Sequence, residues 1–215
     1  MNKSIFIFNK RAQEYDRWFD SHPEVFKSEL NALKRFILKL KQNQSALEIG
    51  VGTGRFAQHL GIKIGIEPAV KMAELAKKRG IKVIVATAED LPFSDSCFEL
   101  VLMNTVLCFL DDPEIAIREA KRVLKHKGKL VIGMIDKDSF LGRLYESRKS
   151  GFYKYANLYS VPQVLLLLKE NGFSEIKVCQ TVFNIPDKIK DIDPVIEGWG
   201  KGGFVVILSC LYIKD

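Results

Sequence analysis

The sequence predicts an α/β fold, a doubly wound and mostly parallel sheet with helices on both faces, and three features carry that expectation. Short apolar runs alternate with helical patterns from Ser45 onward, the signature of successive βαβ units. The first of these runs, Ala46 to Ile49, passes directly into glycines at 50, 52 and 54. The second, Lys63 to Ile66, ends in an acid, Glu67.

Ahead of the alternation, Phe6 to Leu40 reads as helical. Tyr15, Trp18 and Phe19 form one apolar face, and Val25, Leu30, Leu33, Phe36, Ile37 and Leu40 another. Pro23 suits a first helical turn, with Ser21 as its cap. Lys41 to Gln44 is a polar link into the sheet. Strands are expected at 46–50, 63–66, 81–86, 98–104 and 129–135, and helices at 55–60, 69–79, 112–125 and 161–171. Asp111 and Asp112 before Pro113 mark a helix start, and Gly80, Gly128 and Gly172 mark helix stops. Residues 137–160 interrupt the pattern with a dense aromatic set: Phe140, Tyr145, Phe152, Tyr153, Tyr155 and Tyr159. Ile176 to Phe183 and Phe204 to Ile213 read as closing strands, separated by a glycine-rich loop around Trp199.

The corner at 50–54 has a specific physical reading. Alternate glycines turn the chain tightly and bring backbone N–H groups against a ligand with no Cβ in the way, and the helix that follows favours negative charge at its start. An acid ~20 residues beyond the start of such a corner is placed to accept hydrogen bonds from ribose hydroxyls, which makes Glu67 the leading candidate. The spacing of Gly50, Gly52 and Gly54 is G-x-G-x-G, whereas dinucleotide folds use G-x-G-x-x-G to clear a pyrophosphate. Glu48 adds a carboxylate at the end of the first strand, which suits a ligand with an ammonium group and opposes phosphates.

The segments LEIGVGTG, GIEP, ATAEDLPF and FELVLMNTVLCFLDDPEIAIREAKRVLKHKGKLVIG, in this order and spacing, resemble the class I S-adenosylmethionine-dependent methyltransferases. The likeness spans roughly Tyr15 to Ile135 and extends to the group that acts on small molecules, including quinone precursors. It implies a Rossmann-like, seven-stranded, mostly parallel sheet with a reversed last strand and an N-terminal helical lid, and it implies S-adenosylmethionine as the cofactor. One domain over 1–215 follows, divided into a lid (1–44), a cofactor core (45–136), an aromatic insertion (137–160) and a C-terminal part on the substrate side (161–215).

By resemblance, Glu67 takes the ribose diol, and Pro68 and Met72 lie against the adenine. Thr87, Ala88 and Glu89 form the turn that reads the adenine edge; Thr87 stands where the family often has Asp, which shifts that contact toward Ala88 and Glu89. Asn104 ends the fourth strand beside the methionine part of the cofactor, with strand termination as the plain alternative. Tyr15 lies in the lid segment AQEYDRWFD, where a tyrosine closes over the cofactor, although a packing tyrosine reads equally well. Cys108 and Phe109 occupy positions where relatives often carry histidine, so a histidine base is absent there. Asp136 and Tyr153 are the candidates for acceptor contacts, against the plainer readings of a surface acid and a core aromatic.

Composition bounds the rest. With 47% apolar and 27% charged residues in 215, the chain reads as an ordinary soluble globular protein, and no run is long enough for a membrane span or signal peptide, so the cytoplasm is expected. The four cysteines and three histidines show no ligand spacing, and no metal is expected. The formal charge of +7 invites a nucleic-acid reading. Its densest cluster, Lys121, Arg122, Lys125, Lys127 and Lys129, falls near an expected helix end, where cations are favoured for a local reason, so nucleic acid is disfavoured as a partner. A small-molecule acceptor with an apolar or aromatic part is expected; the alternatives are a cofactor-binding protein without catalysis and a methyltransferase acting on RNA or protein.

Overall fold

The computed structural model describes residues 3–37, 45–148 and 151–211. Three helices lead: α1 (Lys3–Lys10), α2 (Ala12–Ser21) and α3 (Pro23–Phe36). The remainder of the chain builds β1 (Ala46–Ile49), α4 (Arg55–Leu60), β2 (Ile64–Ile66), α5 (Val70–Lys78), β3 (Lys82–Ile84), β4 (Phe98–Asn104), α6 (Pro113–Val123) and β5 (Leu124–Ile135). Then come α7 (Phe140–Arg148), a 3-10 turn (Gly151–Tyr155), α8 (Val161–Glu170), β6 (Phe173–Thr181), β7 (Ile196–Glu197) and β8 (Phe204–Leu211). Leu40, the link 41–44 and the end of the last expected strand lie outside the described residues.

The eight strands form one sheet in the order β3-β2-β1-β4-β5-β8-β6-β7. Pairing is parallel from β3 through β5, and β8 runs antiparallel to both β5 and β6. Seven strands and a reversed last one are therefore as expected. The eighth, β7, is a two-residue edge strand against β6; two residues in a polar loop carry no alternation that a reader of sequence could detect.

Strand alternation divides the core into two layers, as a sheet covered on both faces requires. Leu100, Leu102, Val131 and Phe204 pack with α3, α4 and α5 on one face. Val101, Met103, Leu130, Ile132 and Val205 pack with α6 and α8 on the other. Parallel pairing brings the C-terminal ends of β1, β2, β4 and β5 to one edge, where the site lies.

Two local expectations need correction. Asp112 caps α6 by accepting from the Ile115 N–H at 3.0 Å, as expected, but α6 ends at Val123 and the chain passes straight into β5, so Gly128 sits inside the strand segment. Its backbone is pressed against its neighbours instead: a Cβ there would lie 2.7 Å from the Lys125 carbonyl oxygen. At α3 the cap position is His22, and the Ser21 hydroxyl donates back to the Arg17 carbonyl. The basic cluster is also partly committed. Arg122 donates to Glu119, Asp95 and the carbonyls of Leu91 and Phe93, and thereby fastens the 91–95 loop to α6.

Candidate active site

The three glycines of the corner do three different things. Gly52 has φ +55° and opens to a cavity; a Cβ there would lie 3.6 Å from the Met72 methyl and 3.9 Å from the Tyr15 ring. Gly50 clears Val106, whose Cγ2 would sit 2.4 Å from an added Cβ. Gly54 does not face the cavity: an added Cβ would meet Ala76 at 3.0 Å, so its role is close packing of the corner on α5.

Glu67, at the end of β2, ties the corner together. Its Oε2 accepts from the Gly52 N–H at 2.9 Å and its Oε1 from the Ala69 N–H at 2.8 Å. Burial raises its carboxyl to about 7, a rise that those two backbone donors hold back. A carboxylate offers about four lone-pair positions, so two remain for a ligand. Asn104, at the end of β4, is buried with its Oδ1 unpartnered among the described residues. The next residue, Thr105, is β-branched yet adopts φ +51°, and its N–H donates to the Gly133 carbonyl at 2.7 Å. Such strain in a buried corner concentrates at ligand sites.

The cavity has a volume of about 390 Å³. Gly50, Gly52, Glu67, Pro68, Met72, Thr87, Ala88, Glu89 and Asn104 line it from the strand ends, and Tyr15 and Tyr153 from the helical side. Eleven of the fourteen sequence candidates thus share one space. Glu89 also accepts from the N–H groups of Asp111 and Asp112 at 3.1 and 3.4 Å, which fixes the loop before α6.

Besides Gly54, two candidates do not line it. Glu48 alternates with Leu47 and Ile49 and therefore points into the α4 layer. It is buried, accepts the Ala57 N–H in the first turn of α4, and is pushed well above the usual carboxyl range by burial. Turned into the α4 layer and absent from the cavity lining, it is not placed to meet an ammonium group there. Asp136 follows β5 but turns away: its Oδ1 accepts from the N–H groups of Asp138 at 3.2 Å and Val161 at 3.3 Å. It organises the turn between β5 and α7 and the start of α8.

The helical side is aromatic. Tyr15 packs edge-on to Phe8, Phe19 and Phe152 with ring centroids 5.7, 5.3 and 5.5 Å away, and its hydroxyl bonds to the Thr105 side chain. Burial raises that hydroxyl above its ordinary range. Tyr153 stacks on Tyr145 at 4.0 Å. Asp16 clamps α2 to the corner, accepting from Arg55 at 2.8 and 3.1 Å and from Arg79 at 2.8 Å. Arg79 also donates to the Thr53 carbonyl. Burial alone would raise the Asp16 carboxyl, but Arg55, Arg79 and Thr53 together pull it down to about 2.

Sequence reading missed Glu29. It lines the cavity from α3 at 7% exposure, one turn after Val25, so the apolar stripe of that helix carries one acid. That interruption was the available signal. Burial pushes the Cys108 thiol up to about 12 and the Cys179 thiol up to about 11, so neither of these two is suited to attack. Among the described residues no cluster of His, Cys, Asp and Glu could hold a metal ion, and no helix is long and apolar enough to cross a membrane.

Comparison with known proteins agrees with this geometry. Residues 47–132 match a family described as a methyltransferase domain. A protein of uncharacterised function from Methanocaldococcus jannaschii is 54% identical over 94% of this chain and 97% of its own length. A demethylmenaquinone methyltransferase from Thermotoga maritima is 29% identical over 78% of this chain and 86% of its own. A crystal structure from Thermotoga maritima described as a SAM-dependent methyltransferase, possible histamine N-methyltransferase, superposes with a TM-score of 0.91 at 47% identity, covering 96% of this chain and 99% of that one.

Proposed function

The chain belongs to the class I S-adenosylmethionine-dependent methyltransferases, and from that premise we propose that it methylates a small molecule with an apolar or aromatic part, bound in the cavity between the strand ends and α1–α3. S-adenosylmethionine, when bound, supplies a methyl group already activated on a sulfonium. The residues present fit it: Gly52 opens the corner to the cavity, Glu67 keeps two acceptor positions for a ribose diol, and the Asn104 Oδ1 awaits a donor. Pro68 and Met72 would flank the adenine, and Thr87, Ala88 and Glu89 its edge.

One observation carries the small-molecule reading. The space bounded by Glu67 and the glycine corner continues without interruption to an aromatic wall made of Phe8, Tyr15, Phe19, Phe109, Phe152 and Tyr153. Transfer to an activated methyl needs alignment and exclusion of water more than acid–base chemistry, and packed rings supply both. The relative described as a possible histamine N-methyltransferase is in keeping with an acceptor built on a ring. We read the chain as one methyltransferase domain, with residues 1–44 as a lid, 45–136 as the cofactor core, 137–160 as an aromatic insertion and 161–215 completing the substrate side. Four free cysteines accord with a reducing compartment, the cytoplasm.

Equilibrium titration with S-adenosylhomocysteine, followed by methyl transfer from labelled cofactor to a panel of small aromatic acceptors, tests the proposal. Saturable binding and transfer to at least one small acceptor are expected. Binding without transfer to any of them, together with transfer to RNA or protein, would overturn it.

A further inference from the structure

Three buried acids stand near the cavity, and they differ in what holds them. Glu67 gives each oxygen a backbone N–H, and Glu48 accepts one from Ala57. Glu29 has no hydrogen bond and no ion pair among the described residues, although more than nine-tenths of it is buried. Such a group is costly, because burying a carboxyl without partners forfeits its hydration. A leucine at the same position of α3 would continue the apolar stripe set by Val25, Leu30 and Leu33. Glu29 lines a cavity, and that is the condition under which a ligand supplies the missing donors.

The surroundings select the kind of donor. Tyr15 from α2, Tyr145 from α7 and Tyr153 from the 3-10 turn all feel the Glu29 charge, and each phenol is raised first by burial and then partly by that charge. Tyr145 and Tyr153 stack on each other in the cavity lining, and cations are drawn to aromatic rings. The nearby charges do not satisfy Glu29. Arg148 on the same lining is exposed, Arg11 is paired with Glu14, and Asp187 acts on Tyr145 with the same sign as Glu29.

We infer that Glu29, with Tyr145 and Tyr153, seats a protonated amine carried on an apolar or aromatic body, so that the acceptor class of this methyltransferase is a basic amine. This rests on the proposed function, since it takes the cavity to be the transfer site. A carboxylate-bearing acceptor would bring no positive charge to Glu29, and a neutral alcohol would gain one hydrogen bond but no charge pairing. Burial raises the empty Glu29 carboxyl to about 8, so at pH 7 it holds its proton. An ammonium group settling beside it favours the carboxylate, and the displaced proton passes to the buffer.

That exchange is measurable without turnover. The protein is first titrated with S-adenosylhomocysteine, which checks the cofactor site separately; failure there sinks the proposed function, and the inference with it. The saturated protein is then titrated calorimetrically at pH 7 with 2-phenylethylamine and with 2-phenylethanol, in two buffers of different ionisation enthalpy. The amine is expected to bind about tenfold or more tightly than the alcohol and to release most of one proton. Glu29→Gln keeps the shape of the side chain; it should bring amine and alcohol to parity and abolish the proton release while leaving S-adenosylhomocysteine affinity unchanged. Equal binding of the two probes by the unaltered protein, no binding of the amine, or an unchanged amine affinity in Glu29→Gln would each overturn the inference while leaving the cofactor site intact.

Discussion

At one end of the cavity, Glu67 has a backbone N–H on each carboxyl oxygen and belongs to a contiguous stretch of sequence; at the other, Glu29 has no partner among the described residues and shares the lining with rings drawn from α2, α7 and the 3-10 turn. The first end is preorganised by its own backbone, so its polar groups are held whether or not a ligand is present. The second is preorganised only in shape, and its one acid remains unsatisfied until something binds. On the proposed function, the first end holds the cofactor and the second selects the acceptor.

The largest effect that separates the two ends is in stability against pH. Burial raises Glu29 to about 8 and Glu67 to about 7 from an ordinary 4.5, and it pushes Glu48 well above that ordinary value too. A folded carboxyl raised in this way binds its proton more tightly than the unfolded one. Stability from these groups is therefore full below about 4.5 and falls as pH rises toward 8. Asp16 works in the opposite sense: held at about 2, it contributes stability above 3.8 that is lost as pH falls through 2. Thermal unfolding of the cofactor-free protein should show a maximum near pH 4–5 and a decline of a few kcal/mol, roughly, by pH 8. Glu29→Gln should flatten the decline most visibly between pH 6 and 8, because no donor offsets its burial. Stability that rose steadily from pH 5 to 8 would contradict the picture of both ends.

Next in size is the cofactor end itself. Glu67→Ala removes the tie between Gly52 and Ala69 and, on the proposed function, the acceptors for two ribose hydroxyls. Hydrogen bonds to a charged group are worth about 1.5–3 kcal/mol each, so the loss of two should lower S-adenosylhomocysteine affinity by at least about 100-fold. A loss below about threefold would mean that the ribose lies elsewhere.

This division also explains what the sequence made legible. The corner and Glu67 could be read because backbone geometry demands glycine at fixed offsets and strand ends place an acid at a fixed distance, so local order carried the site. The same locality misled at Glu48 and Asp136. Both are acids at strand ends, but side-chain alternation turned one into the α4 layer, and the turn into α7 captured the other. Glu29 was invisible because its meaning depends on α7 and the 3-10 turn, over a hundred residues further on, closing around it. The sheet was read almost whole, since the central strands β1, β4 and β8 bury both faces and read as continuous apolar runs; β7 escaped because two paired residues have no period.

A smaller effect is expected from the clamp between the two ends. Asp16 joins α2, which carries Tyr15, to Arg55 at the start of α4 and to Arg79 beyond α5. The pair is only partly buried, so Asp16→Ala should cost about 1–2 kcal/mol, between exposed and buried pairs, and lower Tm by about 2–8 °C. Because α2 covers the corner, S-adenosylhomocysteine affinity should weaken modestly in the same variant. Tm unchanged would show that α2 is held by its aromatic face alone.

The smallest effect distinguishes a structural acid from one that handles the acceptor. Asp136 stands at the end of β5, where sequence alone makes it a candidate for acceptor contact, yet its oxygen is spent on the N–H groups of Asp138 and Val161. An asparagine can accept the same two hydrogen bonds through its side-chain oxygen. Asp136→Asn should therefore change stability by less than about 1 kcal/mol and leave cofactor affinity and methyl transfer within about twofold. Asp136→Ala cannot accept them, and should lose about 1 kcal/mol of stability, as for a lost helix cap, still without a specific loss of transfer. A large fall in turnover in Asp136→Asn with Tm intact would return Asp136 to the reaction and move the acceptor toward β5, away from Glu29.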